Sequence, residues 1–352
     1  MIKRARAMAE LVARRYSALA LLAFFFVVFT LLEPGIFLTD TTIRLVLTDR
    51  TVIGILAVGA VVPFAAGGFD VSIGATLGFG FAALTWLSIN TSLPEPVMVL
   101  LMLALCALVG FINGAVVVKL GVDSFIATLA MSQILAAVSL YLSQNRQIVA
   151  NLSSGFRNMT QIQILSITSD VWLLFVLAVI FWFVLEHTPT GRFVFAAGGN
   201  PTAARLSGVP VSRYVWGSMV VSALMAGIAA IVMASKVGVY ANTYGTGQLF
   251  PALSALFFGA TQVKGRLNVW GTLIALYVLA FGEEGLGLLG TNFTWWITPL
   301  FDGLALLGAV ALAARQYRRM QAGKIAKRTS DPTPDEATGG GGPVDSPAPA
   351  GG

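Results

Sequence analysis

Apolar runs long enough to cross a lipid bilayer follow one another along almost the whole chain. They fall at about 17–33, 51–67, 72–89, 97–118, 125–143, 170–186, 214–235, 249–263, 269–288 and 295–314. A helix that crosses the hydrocarbon needs about 20 apolar residues. No water is available there to satisfy backbone N–H and C=O groups, so only α-helices and closed β-barrels can span. Barrel strands alternate apolar and polar residues over segments of about 10, whereas these runs are longer and apolar on every side. The expected fold class is therefore all-α: a polytopic helical membrane protein with about ten transmembrane helices. Composition agrees. The chain is 57% hydrophobic and 11% charged, against about 25% charged for a soluble domain, which excludes a water-soluble fold of this size.

The second, third and eighth runs are short or interrupted by glycine. A broken or re-entrant helix around 60–75 is an alternative there to two clean spans. An even number of spans puts both termini on one side. Placing them in the cytoplasm leaves only Arg44, Arg50, Arg146, Arg157 and Lys236 outside, of 22 Lys and Arg, as the positive-inside rule requires. Lys3, Arg4, Arg6, Arg14 and Arg15 precede the first run, and no small-residue cleavage site follows it, so it reads as an uncleaved span. Three regions result: a cytoplasmic N-terminal segment at 1–16, a transmembrane domain at 17–315, and a cytoplasmic tail at 316–352. The tail is basic at first and then rich in Pro and Gly, with a four-Gly run at Gly339–Gly342. It is too poor in apolar residues to fold. The longest outside loop, about 144–169, is long enough to contact an external partner.

One polar stretch interrupts the apolar pattern. It reads Gly198-Gly199-Asn200-Pro201-Thr202-Ala203-Ala204-Arg205-Leu206-Ser207-Gly208, with Arg192 and Arg213 beside it. A segment this polar sits in water, and its arginines place it in the cytoplasm. It is either an ordinary connector or a docking piece for a soluble partner.

The chemistry available to the chain is limited. Cys106 is the one cysteine and His187 the one histidine, so no disulfide forms within the chain and no Cys/His metal site is expected. No GxxxxGK[ST] phosphate loop is present. The net charge of +6 gathers at span ends and in the tail, which is membrane topology and not a nucleic-acid signal. Ionisable groups at or near membrane depth are functional candidates: Asp70, Asp123, Glu186, Glu283, Glu284 and Asp302. Asp70 also reads as a helix cap, and Asp123 and Glu186 lie at span edges.

The order of short motifs resembles the permease subunits of the ribose/xylose class of bacterial ABC importers, over about residues 50–315. Ala66-Gly67-Gly68-Phe69-Asp70-Val71-Ser72-Ile73-Gly74 is similar to that family's S-G-x-D-L-S-V-G. Gly110-Phe111-Ile112-Asn113-Gly114 and Phe125-Ile126-Ala127-Thr128-Leu129 resemble G-x-x-N-G and P-F-I-x-T-L, with Ser124 in place of proline. Gly191-Arg192 through Gly208 resembles G-R-x-x-x-A-x-G-G-N followed by a small-residue helix ending R-L-S-G. Tyr244-Gly245-Thr246-Gly247 and Gly271-Thr272 complete the series.

The resemblance implies an ABC importer permease fold and a division of labour. Two permease chains, identical or different, form the pore. Separate ATPase subunits grip a short coupling helix, for which Gly199, Asn200, Ala203, Ala204, Arg205 and Gly208 are the candidates. An extracytoplasmic solute-binding protein delivers the substrate, a monosaccharide or related polyol. The chain itself binds no cofactor, since ATP and Mg are used by the ATPase. Asp70, Asn113, Phe125 and Thr128 are expected near the translocation route, with helix packing as the competing role. Three departures stand out. Gln248-Leu249-Phe250-Pro251-Ala252-Leu253 lacks the family's usual acidic residues, Val263–Asn268 lacks most of its glycines, and Glu283-Glu284 stand where an Asn-Asn pair is common. Other readings are a permease for a nucleoside or other small polar solute, and a proton-coupled secondary transporter using Glu283, Glu284 and Asp302.

Overall fold

The computed structural model describes residues 17–262, 266–290, 296–308 and 310–311. The expected N-terminal segment 1–16, Lys264 and the tail from 316 onward lie outside the described residues. The helices in order are α1 (Ser17–Leu32), α2 (Asp40–Asp49), α3 (Thr51–Ala65), α4 (Ile73–Asn90), α5 (Glu95–Lys119), α6 (Ser124–Ser143), α7 (Ser154–Asn158), α8 (Ser169–His187), α9 (Pro189–Gly199), α10 (Pro201–Leu206), α11 (Val211–Val237), α12 (Thr243–Thr246), α13 (Leu249–Gln262), α14 (Val269–Leu288) and α15 (Trp296–Gly308). Four two-residue strands join them: β1 (Ile148–Val149), β2 (Gln163–Ile164), β3 (Ile167–Thr168) and β4 (Val239–Tyr240).

The all-α class holds, and by length and composition the described residues supply fewer spans than the ten expected. Among the described residues, six helices qualify alone: α4, α5, α6, α8, α11 and α14. A seventh span arises if α2 and α3 count as one, bent by 44° at Arg50. Alone, the 15 residues of α3 reach only about 22 Å at 1.5 Å per residue, short of the ~30 Å hydrocarbon core. The bend in this helix pair falls at Arg50. Around 60–75 the two helices are separate, α3 ending at Ala65 and α4 starting at Ile73.

Local chemistry sets these boundaries. Thr39 caps α2, its Oγ1 accepting from Thr42 N at 3.2 Å. Asp123 caps α6, its Oδ1 accepting from the N–H groups of Phe125 and Ile126 at 3.0 and 3.2 Å, which accounts for this span-edge carboxylate. Asn268 caps α14 through Gly271 N.

The core is built from α3, α4 and α11. Every residue of α3 is buried, as are most of α4. A helix apolar all round belongs in the middle of a bundle. The outer helices α5, α6 and α8 leave Leu100, Leu108, Ile126, Ile134, Val176 and Phe183 exposed, surfaces suited to lipid or another membrane chain. Close packing uses glycine where lipid offers no hydrophobic drive. Gly110 and Gly114 lie one turn apart on α5 and press against α11. A Cβ on Gly110 would lie 2.5 Å from the Met219 carbonyl oxygen, and one on Gly114 would lie 2.3 Å from the Trp216 ring.

The 144–169 loop has structure of its own. It holds β1, α7 and the β2–β3 hairpin, with β1 pairing antiparallel to β4 in the register Ile148↔Tyr240. Three of the five basic residues that fall outside the charge pattern are tied to carboxylates: Arg44 to Asp40 at 2.7 Å, Arg50 to Glu283 at 2.8 Å, and Lys236 to Asp170 at 3.0 Å.

Candidate coupling loop and polar junction

The polar stretch 198–208 folds as the end of one helix and the whole of another. Pro201 has no N–H and biases the residue before it away from helical backbone. Asn200 is accordingly extended (φ −154°, ψ 91°) and divides α9 from α10. Its Oδ1 accepts from Ala203 N at 3.0 Å and starts α10. Gly208, at φ +81°, turns the chain out of that helix, and Val209 N donates back to the Ala204 carbonyl at 2.9 Å.

The two faces of α10 differ. Ala204 points inward and packs with Ala197 and Val211 in a small apolar cluster. Its side chain anchors the loop to the chain's own body. Gly199, Asn200, Ala203, Arg205 and Gly208 are exposed. So is Leu206, at 86%. Leu206 was not among the sequence candidates. The signal was present, as it is the sole large apolar residue in a polar stretch, but its direction depends on helix phase.

The loop between α3 and α4 meets this region. Gly67, at φ +84°, contacts Gly198 backbone to backbone: a Cβ on Gly198 would lie 2.2 Å from the Ala65 carbonyl oxygen and 2.8 Å from Gly67 N. From Gly67 the loop runs straight into a buried polar junction. Asp70 is 1% exposed, and its Oδ1 accepts from Ser72 N at 3.0 Å and Ser72 Oγ at 2.6 Å. Asn113 of α5 donates from Nδ2 to Ser72 Oγ at 2.9 Å. Ser222 of α11, fully buried, stands beside the carboxylate. On the other side, α6 grips the loop backbone. Ser124 Oγ accepts from Phe69 N at 2.9 Å, and Thr128 Oγ1 accepts from Val71 N at 3.1 Å. The Thr128 hydroxyl also lies 2.8 Å from the Ser124 carbonyl and 3.1 Å from that of Phe69.

Three of the four residues expected near the route thus come together in one buried junction: Asp70, Asn113 and Thr128. Phe125 does not join them and lies half-exposed at the start of α6. One to two turns along α4, a half-open groove of about 150 Å³ is lined by Ala75, Gly78, Ser139, Tyr240, Asn242 and Thr246, among others.

The remaining acidic candidates lie elsewhere. Glu186 pairs with Arg266 at 2.7 Å. Glu283 pairs with Arg50 and, with Asp302, lines a small cavity at the opposite end of α3. Asp170, fully buried and paired with Lys236, was missed because it sits at the edge of its run. Cys106 is buried, its Sγ 3.7 Å from the Met102 sulfur. His187 stacks on Phe183 at a helix end. No group of three His, Cys, Asp or Glu among the described residues is placed to hold a metal ion.

A bundle of helices apolar on nearly all faces, with a buried polar junction and an outward-facing helical loop, is that of a multi-pass membrane protein. Its sequence then places it. The chain belongs to the family described as "Branched-chain amino acid transport system / permease component", which matches residues 42–313. It is similar to the ribose import permease protein RbsC of Escherichia coli K12, 30% identical over 78% of this chain and 86% of that protein. It is 28% identical to the fructose import permease protein FrcC of Rhizobium meliloti, over 81% of each. It is 27% identical to the autoinducer 2 import system permease protein LsrD of Escherichia coli O9:H4, over 82% of this chain and 88% of that one. As a permease component, the chain is a non-catalytic membrane subunit of a transport system.

Proposed function

We propose that this chain is the transmembrane subunit of a binding-protein-dependent ABC importer that carries a monosaccharide or related polyol across the bacterial cytoplasmic membrane. Both termini and the α9–α10 loop face the cytoplasm. Separate ATPase subunits, which bind the ATP and Mg, dock on that loop. An extracytoplasmic binding protein docks at the opposite end, and a second permease chain completes the pore. The observation that carries this reading is α10: a capped helical turn anchored inward by Ala204 and presenting Arg205 and Leu206 outward. Arginine is enriched at the energetic centres of protein contacts, and Arg205 is held outward here on a capped turn. The substrate class is supported by the relatives, which are named for ribose, fructose and autoinducer 2. A proton-coupled carrier would draw on Glu283, Glu284 and Asp302, and the first of these is already paired with Arg50 at 2.8 Å.

Purification of the chain with its neighbours from its own host tests the reading, followed by uptake in proteoliposomes. An ATPase that co-purifies, and uptake that requires ATP and competes with pentoses or hexoses, are expected. Uptake driven by a proton gradient without ATP refutes the importer, and competition by nucleosides alone refutes the sugar.

A further inference from the structure

We propose that the Gly67–Gly198 contact is the positioning contact through which displacement of the α9–α10 loop reaches the starts of α4 and α6. The inference rests on the reading of that loop as the ATPase-facing one. The argument is geometric. Where two helices meet through side chains, rotamer changes absorb small shifts. Here no side chain intervenes. Gly198 sits against the Ala65 carbonyl and Gly67 N, and a Cβ on Gly67 would lie 3.0 Å from Gly198 Cα. Packed backbone of this kind has low compressibility and passes strain on.

What lies behind Gly67 decides where the strain goes. Gly67 and Gly68 are held to the end of α3 by their N–H groups, which donate to Phe64 O at 3.2 Å and Pro63 O at 2.8 Å. The next four residues are gripped by α5 and α6, through Asn113 on Ser72 and through Ser124 and Thr128 on Phe69 and Val71. Farther along, Gly74 and Gly78 of α4 abut Gly245 backbone to backbone, beside the groove lined by Ser139, Tyr240 and Asn242. A push at Gly198 therefore has a stiff connection to α3, α4, α5 and α6 at once, and through α4 to that groove. The buried carboxylate and its partners fix the loop against the bundle, so the junction works as a knuckle and not as a solute station.

The experiment uses the assembled transporter in proteoliposomes and reads solute moved per ATP hydrolysed. Gly198→Ala is the test variant. Gly217→Ala is the control, since a Cβ at Gly217 meets nothing within 4 Å. The expected result is a Gly198→Ala complex that assembles and hydrolyses ATP while its transport per ATP falls about tenfold, the upper range of single-residue coupling effects. Gly217→Ala should match the wild type. A Gly198→Ala complex that assembles with a ratio equal to wild type overturns the proposal. If the variant does not fold, spin labels decide the matter in an otherwise intact transporter, in a Cys106→Ser background. They are placed at exposed Thr190 on α9 and exposed Phe69 in the loop. That distance should stay constant between nucleotide-free and ATP-trapped states, while the distance from Thr190 to exposed Leu165 changes. A Thr190–Phe69 change of about one helical turn, ~5 Å, refutes the contact. Failure of the parent reading looks different: wild type and Gly217→Ala alike then retain no ATPase.

Discussion

Replacing Lys236 by Met removes the one cation that faces a fully buried carboxylate. Lys236 Nζ lies 3.0 Å from Asp170 Oδ2 and 2.5 Å from the Thr48 carbonyl oxygen. The Asp170 side chain is 0% exposed and that of Lys236 18%. Asp170 keeps only a short local bond at its other oxygen, from Val171 N at 3.0 Å. Removing one partner of a buried pair costs about 3–5 kcal/mol, because the other charge stays buried and uncompensated. The partial exposure of Lys236 lets water approach and sets the expectation at the lower end, about 3 kcal/mol. Soluble domains of about 150–250 residues lose about 2–4 °C per kcal/mol, and the shift shrinks with length, so the melting temperature of this longer chain should fall by at most about 6–12 °C. Thermal unfolding of the purified protein in detergent measures it.

The double variant Lys236→Met with Asp170→Leu is the informative partner. An apolar pair of similar volume often replaces a buried ion pair at little cost. It should melt within about 3 °C of wild type, near 1 kcal/mol on the same scale. If Lys236→Met leaves the melting temperature unchanged, or if the double variant loses the full sum of both single losses, the two residues are not coupled and the reasoning fails.

Leu206→Asp should release the ATPase while insertion and stability stay normal; loss of a central apolar anchor of about 2 kcal/mol weakens affinity about thirtyfold, read by co-purification. Ala204→Asp should behave differently, since it buries a charge against Ala197 and Val211 and makes the loop sensitive to protease even without an ATPase; equal protease resistance in both variants counts against this division of faces. Removing residues 330–352 should leave uptake nearly unchanged, because that stretch has no apolar periodicity, and a chain that inserts but loses most uptake makes the tail a partner site. Asn113→Leu removes the bond to Ser72 Oγ at 2.9 Å and should cost about 1 kcal/mol or less; cysteines at 70, 113 and 128 should stay inert to small water-soluble thiol reagents if the junction is a dry knuckle, and rapid reaction at all three places it on a wet route.

The helices were legible because lipid enforces them. A run such as 269–288 has one viable structure in hydrocarbon, and α14 has those same ends. The spans at 125–143 and 170–186 became α6 and α8 with errors of at most one residue at an end. The pairing of α2 with α3 was not legible, because α3 with 15 residues is short of a full crossing by itself and the 44° bend at Arg50 has no local sequence mark. Asp70, Asn113 and Thr128 could be singled out as polar groups in apolar surroundings. Their mutual bonding could not, because Ser72 and Asn113 are joined over 41 positions. The same holds for Lys236 and Asp170, 66 positions apart. Neither residue stands out until the partner is known. On α10, residue type suggested Ala204 as the docking residue, whereas helix phase turns it inward and Leu206 outward.

The motif residues divide by job. Gly67, Gly110, Gly114 and Gly245 allow backbone to meet backbone or ring. Asp70, Ser72, Asn113 and Thr128 fasten one loop to three helices. None of these jobs distinguishes one small polar solute from another. Departures from the resembling family fall at the start of α13, where Phe250 stands 57% exposed in a stretch that carries acidic residues in the ribose/xylose class, at residues 263–268, at Glu283-Glu284 and at Ser124. Helix α13 packs on α14 and α3. The departures thus touch a surface of the bundle and also the junction, where Ser124 stands in place of the family's proline and accepts from Phe69 N at 2.9 Å. An exposed phenylalanine exchanged for charge changes what that surface can sit against, so the divergence bears first on the choice of membrane partner. The test is assembly: Phe250→Glu should alter pairing with the second permease chain while leaving ATPase retention through Leu206 intact.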